Sequence, residues 1–401
     1  MIGTLLLLAP LACSPPPETQ VAPPPESPIQ SPADAAAELE RLNAQLERDT
    51  TKKDKPVIGI RYTNDVIDEH LALLKWFPGL QHLALADTKL IDPGLEHVKG
   101  LTKLTRLDLR GTRVSNKGLA QLKDLKNLEE LNLTQNDIGD AGLAVVKNFP
   151  RLRKLDISST KVTDAGLEHL KDLAQLETLR FEDNDITGTG LKALQGLKHL
   201  QDLDLHRSRN LQNENLAELR PVPALRVLRL SEADEIDDDG LAQLKSMPSL
   251  EVLNLSNNRK IKGPGLAHLS GLPKLRVLDI SQLKRSVKNA FLELSRVPTL
   301  EQLDASEDDL TNESMKDLKK ITQLKRLNLS GNPRITNLGL IELLALKDLE
   351  QVNLAQTKIT GDGLPTLAKL TNLKELVIDP DLEPRRVQDL KKARPDLKIV
   401  Q

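Results

Sequence analysis

Asp204, His206 and Ser231 are the residue types of an acid–base–nucleophile relay. They can lie close on neighbouring strands. A relay also needs a pocket and donors for an oxyanion, and a flat polar strand surface supplies neither. Catalysis is therefore not expected there. A second candidate is the acidic run at 232–240, where Asp237, Asp239 and Gly240 stand at calcium-loop offsets. Its closing bidentate glutamate is missing, because position 246 is Ser. Arg207 and Arg209 lie upstream and Arg259 and Lys260 downstream, so ion pairing is the expected role of this run. His97, His169 and His268 recur too far apart to form a metal cluster. No metalloprotease motif, phosphate loop or dinucleotide fingerprint occurs. The single cysteine, Cys13, allows neither a disulfide framework nor a thiolate metal site. No cofactor, metal or small-molecule substrate is expected, and the chain reads as non-enzymatic.

Composition narrows the partner. Net charge is −2 with 28% charged residues, whereas phosphate binding wants a strong basic excess, so nucleic acid is not the expected partner. Hydrophobic residues make up 39% of the 401, yet aromatics only 1%. Leucine must fill the core, which suits one small unit copied many times.

The copies are visible. Lead leucines stand at 80, 104, 128, 152, 176, 200, 225, 250, 275, 300, 324, 349 and 373, with steps of 24 or 25. Inside one copy, Leu155 and Ile157 are two apart, which predicts a short strand with one buried face. Leu167, Leu170 and Leu173 are three apart, which predicts a short helix, with Thr163 or Asp164 at its cap. No unit buries both faces alone, so the units must stack. Thr88, Thr112, Thr160 and Thr357 alternate with Asn136 and Asn184 between strand and loop, where they can satisfy backbone groups.

The Leu-x-x-Leu-x-Leu pattern resembles the leucine-rich-repeat family. The tail seen at Ile138, Asp140, Gly142 and Leu143 is similar to the ribonuclease-inhibitor-like subclass with helices outside. The resemblance implies an α/β leucine-rich-repeat solenoid, a curved horseshoe with a parallel β-sheet on the concave side and short helices on the convex side. It covers 56–400 with terminal caps. Residues 57–60 with 68–77 form an atypical first repeat, and 384–392 with 397–400 the closing one.

Ahead of the repeats lie three segments. Residues 1–13 carry an apolar run ending in Leu11, Ala12 and Cys13. The run is too short to span a bilayer. It resembles a bacterial lipoprotein signal, which implies lipidation of Cys13. Pro10 departs from that pattern, and no Lys or Arg precedes the run. An ordinary cleaved export signal is the alternative. Ser14, rather than Asp, follows the Cys, which by the resemblance favours the outer membrane or a periplasm-facing anchor. Residues 14–32 are proline-rich and read as a disordered tether, with a reach on the order of 60 Å. Residues 33–55 read as a short helix, running over 35–48 with Asp34 as cap, and a link.

The outward residues beside the strand leucines carry the function. One column reads Asp108, Asn132, Asp156, Asp204, Asn254, Asp279, Asp304, Asn328 and Asn353, largely the repeat's own habit. Repeats five to seven break the columns together, through Arg180, Glu182, Asp202, Asp204, His206, Arg207, Arg229 and Glu232. These eight are the expected partner-binding residues; the nearby Phe181 should point inward. Repeat nine departs at 281–288, a contact loop or drift. The expectation is an interaction scaffold at the cell envelope, lipid-anchored, binding another protein or envelope component through its concave face. A cytosolic adaptor or a secreted effector is the alternative.

Overall fold

The computed structural model describes residues 29–62, 67–245, 247–283 and 290–401. Cys13, most of the proline-rich tether, position 246 and the loop at 284–289 lie outside the described residues.

Among the described residues, sixteen strands form one open sheet, ordered as in the chain. After the first pair, every neighbour is parallel and steps one repeat at a time, as in Leu179↔Leu203↔Leu228. The two-residue alternation explains this directly. Leu155 and Ile157 point inward and are 1% and 0% exposed, while Asp156 between them faces out. The core is a leucine ladder closed by a few large groups. Phe149, Phe181 and Phe291 are fully buried, so Phe181 does point inward.

The convex side carries one short helical element in most repeats. Some are α-helical, such as Asp164–Leu167, Asp238–Leu244 and Asn337–Leu343. Others are 3-10 helices, such as Thr189–Leu194, Asn213–Leu219 and Gly263–Gly271. Strands stack at about 4.8 Å, whereas an α-helix needs about 10 Å across, so the helical side is the longer arc and the sheet lines the concave side. Thr163 caps its helix by accepting from the Ala165 N–H.

The start of the fold departs from the sequence reading. The first helix spans Pro32–Arg41, and its cap is Ser31, which accepts from the Asp34 N–H. Asn43 then takes φ 59°, a left-handed conformation that ends the helical path. Gln45–Arg48 follows as a strand, antiparallel to Val57–Arg61. It covers the N-terminal edge of the sheet, where a lone helix would leave backbone groups unpaired. At the other end, the helix Pro384–Ala393 and the strand Lys398–Val400 stand where the sequence puts them.

Two polar ladders, one buried and one partly exposed, lock repeat to repeat. Asn136 Nδ2 donates to the Leu109 carbonyl at 2.7 Å and the Leu133 carbonyl at 3.1 Å. Asn332 does the same for Ala305 and Leu329. These amides and the Thr hydroxyls, such as Thr112 on Leu109, satisfy turn carbonyls inside the stack.

The second ladder explains the glycine of Gly-Leu. Asp92 accepts from the backbone N–H of Ser115 one repeat on, at 2.7 Å. Asp140 serves Thr163, Asn312 serves Thr336, and Asn337 serves Thr360 in the same way. Each such side chain occupies the space a Cβ would need on the next repeat's glycine. A Cβ on Gly118 would overlap Asp92, one on Gly142 would overlap Asn116, and one on Gly166 would overlap Asp140. Where the reaching residue is itself glycine, the constraint lifts. Gly188 is followed by Asn215 in the glycine position, and Gly263 by Ala290.

Candidate functional site

Each strand shows two outward residues, one on either side of its inward leucine. The first column runs His82, Arg106, Glu130, Lys154, Thr178, Asp202, Val227, Val252, Val277, Gln302, Arg326, Gln351 and Glu375. The second holds Asp and Asn, and the structure shows why. Each carboxylate or amide oxygen accepts from the backbone N–H two residues on, as at Asp156–Ser158 (3.0 Å), Asp204–His206 (3.0 Å) and Asn254–Ser256 (2.8 Å). This closes the turn leaving the strand. The column is the repeat's own turn chemistry.

The residue three positions after the second outward column takes the left-handed region. Gln135, Asp183, Arg207, Glu232 and Asn257 have φ between 54° and 57°, and Gly111 and Gly331 share the position. That tight turn sets Arg207 and Glu232 side by side, with Nε to Oε2 at 3.1 Å.

The concave side holds two hollows. The larger, about 910 Å³, spans the N-terminal strands and is lined by Glu47, Arg61, His82, Arg106, Lys154 and Arg180, among others. Its charges are paired across strands. His82 Nδ1 meets Glu47 Oε2 at 2.7 Å, and Arg106 Nη2 meets His82 Nε2 at 2.7 Å. An imidazole with its proton on Nδ1 satisfies both. Glu130 binds Lys154 at 2.8 Å. The smaller hollow, about 440 Å³, spans the strands Val277–Asp279 to Glu375–Val377. Along the rim, Arg226–Glu251 (2.9 Å), Arg276–Glu301 (2.6 Å) and Lys325–Glu301 (3.1 Å) form an exposed ladder.

The eight expected contact residues sit between these hollows; of them, only Arg180 lines one. The structure groups them into an Arg229–Asp202 pair and a cluster of Glu182, His206, Arg207 and Glu232. Arg229 pairs with Asp202 across the strands. Arg180 lies in register between Asp156 and Asp204. His206 Nε2 faces Glu182 at 3.5 Å and Glu232 at 3.9 Å. Its Nδ1 lies 2.7 Å from Ser231 Oγ and 3.1 Å from the Ser231 carbonyl.

Ser231 and His206 thus meet, but Asp204 does not join them. Its carboxylate holds the His206 backbone N–H, not the ring. The N–H groups of Leu230 and Glu232, flanking Ser231, bond to the next strand. No pair of donors stands ready for an oxyanion. The arrangement is a positioned polar surface.

A family model described as "Leucine rich repeat" matches residues 150–211 and 223–282, and a second of the same description matches 100–122, 124–146 and 321–344. These stretches match leucine-rich repeats. Among solved structures, the chain is similar to an internalin from Listeria monocytogenes, at 19% identity and TM-score 0.55, covering 92% of this chain and 94% of that one. It is similar to a leucine-rich-repeat protein of Leptospira interrogans, at 21% identity and TM-score 0.54, covering 82% and 80%. It is similar to TLR13, solved in complex with ssRNA13, at 22% identity and TM-score 0.59, covering 80% of this chain and 49% of that one. No match was found among curated proteins. These likenesses show the fold.

The remaining candidates fall into the repeat's own architecture. Asp237 caps the helix Asp238–Leu244 by accepting from the Asp239 N–H, and it takes a hydrogen bond from Asn213 Nδ2 at 2.7 Å. Glu235 pairs with Lys260 at 2.5 Å, the cross-repeat role expected of this run. Among the described residues, no group of three or more side chains is placed to hold a metal, and no helix is long and apolar enough to cross a membrane.

The sequence reading missed the first outward column beyond Asp202. The N-terminal hollow with Glu47, Arg61, His82 and Arg106 was therefore not foreseen, nor was a row of valines at 227, 252 and 277. The usable signal was the residue just before each inward leucine.

Proposed function

We propose that this leucine-rich-repeat chain is a non-enzymatic interaction scaffold, exported and lipid-anchored through Cys13 at a bacterial cell envelope, which binds another protein or envelope component through its concave face. The observation that carries the binding reading is the clustering of Arg180, Glu182, Asp202, Asp204, His206, Arg207, Arg229 and Glu232 on and just beyond adjacent strands, with Arg229–Asp202, Arg207–Glu232 and His206–Glu182 paired. Side chains already held by a partner lose less entropy on binding. The near-neutral charge favours protein over nucleic acid. The export reading rests on the apolar start and the single cysteine that ends it.

Intact-mass analysis of membrane-fraction protein, wild type against Cys13→Ala, tests the anchor. A mature N-terminus at Cys13 with added acyl mass, lost in the variant, is expected. A soluble, unmodified chain would instead favour a cytosolic adaptor, and release into the medium a secreted effector.

A further inference from the structure

We propose that the concave face from the strand Val227–Arg229 to the strand Arg326–Asn328 docks a polypeptide segment with aliphatic side chains flanked by lysine or arginine. This rests on the reading of the concave face as the partner surface and names the partner's chemistry.

Val227, Val252 and Val277 stand in register on three adjacent strands, in the outward column. Each is partly exposed, so a strip of aliphatic surface runs across the sheet. The fold does not demand it, because Leu228, Leu253 and Leu278 already supply the core from these strands. The same column carries His82, Arg106, Glu130 and Lys154 in earlier repeats and Gln302, Arg326 and Gln351 in later ones. Polar groups are the default at such positions, and a contiguous apolar strip is the departure.

Beside the strip, Asp279 and Asp304 stand opposite each other on neighbouring strands. Their hydrogen bonds come from neutral groups, namely Ser281, Ser306 and Asn328 Nδ2. Asn254 and Asn328 flank them in the column, and among the described residues neither carboxylate meets a cation. The N-terminal half differs, since Arg180 there separates Asp156 from Asp204. Burial pushes the Asp279 carboxyl up, the hydrogen bonds from Ser281 lower it in part, and the neighbouring Asp304 adds to the rise. A bare cation would leave the valines uncovered, a neutral aliphatic ligand would leave the carboxylates uncompensated, and a polyphosphate chain would be repelled. A basic, aliphatic polypeptide satisfies both features at once.

The test is selection of a phage-displayed random peptide library on the purified chain, followed by anisotropy titration of the synthesised consensus peptide. A consensus combining Val, Leu or Ile with Lys or Arg is expected. Its affinity should fall at least about ten-fold in Val252→Lys and in the Asp279→Asn/Asp304→Asn pair. Both changes lie on the surface, and thermal melts confirm that the variants fold. A consensus without positive charge, no selected peptide, or unchanged affinity in both variants would overturn the proposal. If Arg180→Ala and Arg207→Ala alone abolish binding, this inference falls while the broader reading stands. If no concave-face change matters, both fall.

Discussion

From the strand Arg106–Asp108 to the strand Thr178–Arg180, the outward residues are Arg106, Asp108, Glu130, Asn132, Lys154, Asp156, Thr178 and Arg180. From Val252–Asn254 to Gln351–Asn353 they are Val252, Asn254, Val277, Asp279, Gln302, Asp304, Arg326, Asn328, Gln351 and Asn353. The inward residue between each pair of outward ones is a leucine in both stretches, with Val352 the one exception. One half shows charges of both signs, several of them paired across strands. The other shows valines, amides, Arg326 and two carboxylates that meet no cation among the described residues. In a solenoid each repeat contacts only its neighbours, so surface chemistry can change every few repeats while the core stays constant. Function is therefore expected where the surface changes character.

If the two halves share one core, Leu179→Ala and Leu303→Ala should each cost about 2–5 kcal/mol, because both side chains are fully or almost fully buried. Urea unfolding checks this. A large difference between the two would show that the halves are not equivalent beneath their surfaces.

The next effect probes the lock between repeats. Gly142→Ala should destabilise by about 1–3 kcal/mol, because its Cβ would overlap Asn116. The loss should shrink when Asn116→Gly is added, reproducing the combination that Gly188 and Asn215 already show. A double-mutant cycle without coupling would sink the steric account.

The smallest effect separates the two faces by charge. The Asp279 carboxyl is raised above its ordinary 3.8 by burial, so ionising it costs more in the folded chain than in the unfolded one. That penalty is absent below pH 3.8 and grows as pH rises past it. Asp279→Asn should therefore raise the melting temperature slightly near about pH 7 and leave it unchanged near about pH 3. Asn254 shows that the amide keeps the turn, accepting from Ser256 N and Oγ, both at 2.8 Å. A loss of stability at neutral pH would mean that Asp279 is already compensated.

Much of this was legible in the residues themselves. The spacing of Leu152, Leu155 and Ile157 announced an inward-facing strand, and Phe181 fell inward as the alternation required. The closing helix and strand were equally plain. The turn from Asn43 into the strand Gln45–Arg48 was not, because Leu39, Leu42 and Leu46 also fit one helical face. Its pairing with Val57–Arg61 decided the matter. The choice between α and 3-10 in each convex segment was likewise invisible, since both bury residues three apart. In the candidate site, Arg207 and Glu232 could be named from their break with the column. Their contact needed a left-handed turn that a residue type does not advertise.

The sequence by itself determined the repeat, its period, the inward leucines and hence a curved parallel sheet, because apolar periodicity dictates which faces must be buried. Only the tertiary structure decided which side chains 23 to 25 residues apart actually touch. Asp92 meets Ser115, His206 meets Ser231, and Val227, Val252 and Val277 become one strip. Such contacts depend on stacking register and turn direction, which arise when neighbouring repeats pack and not within any one of them.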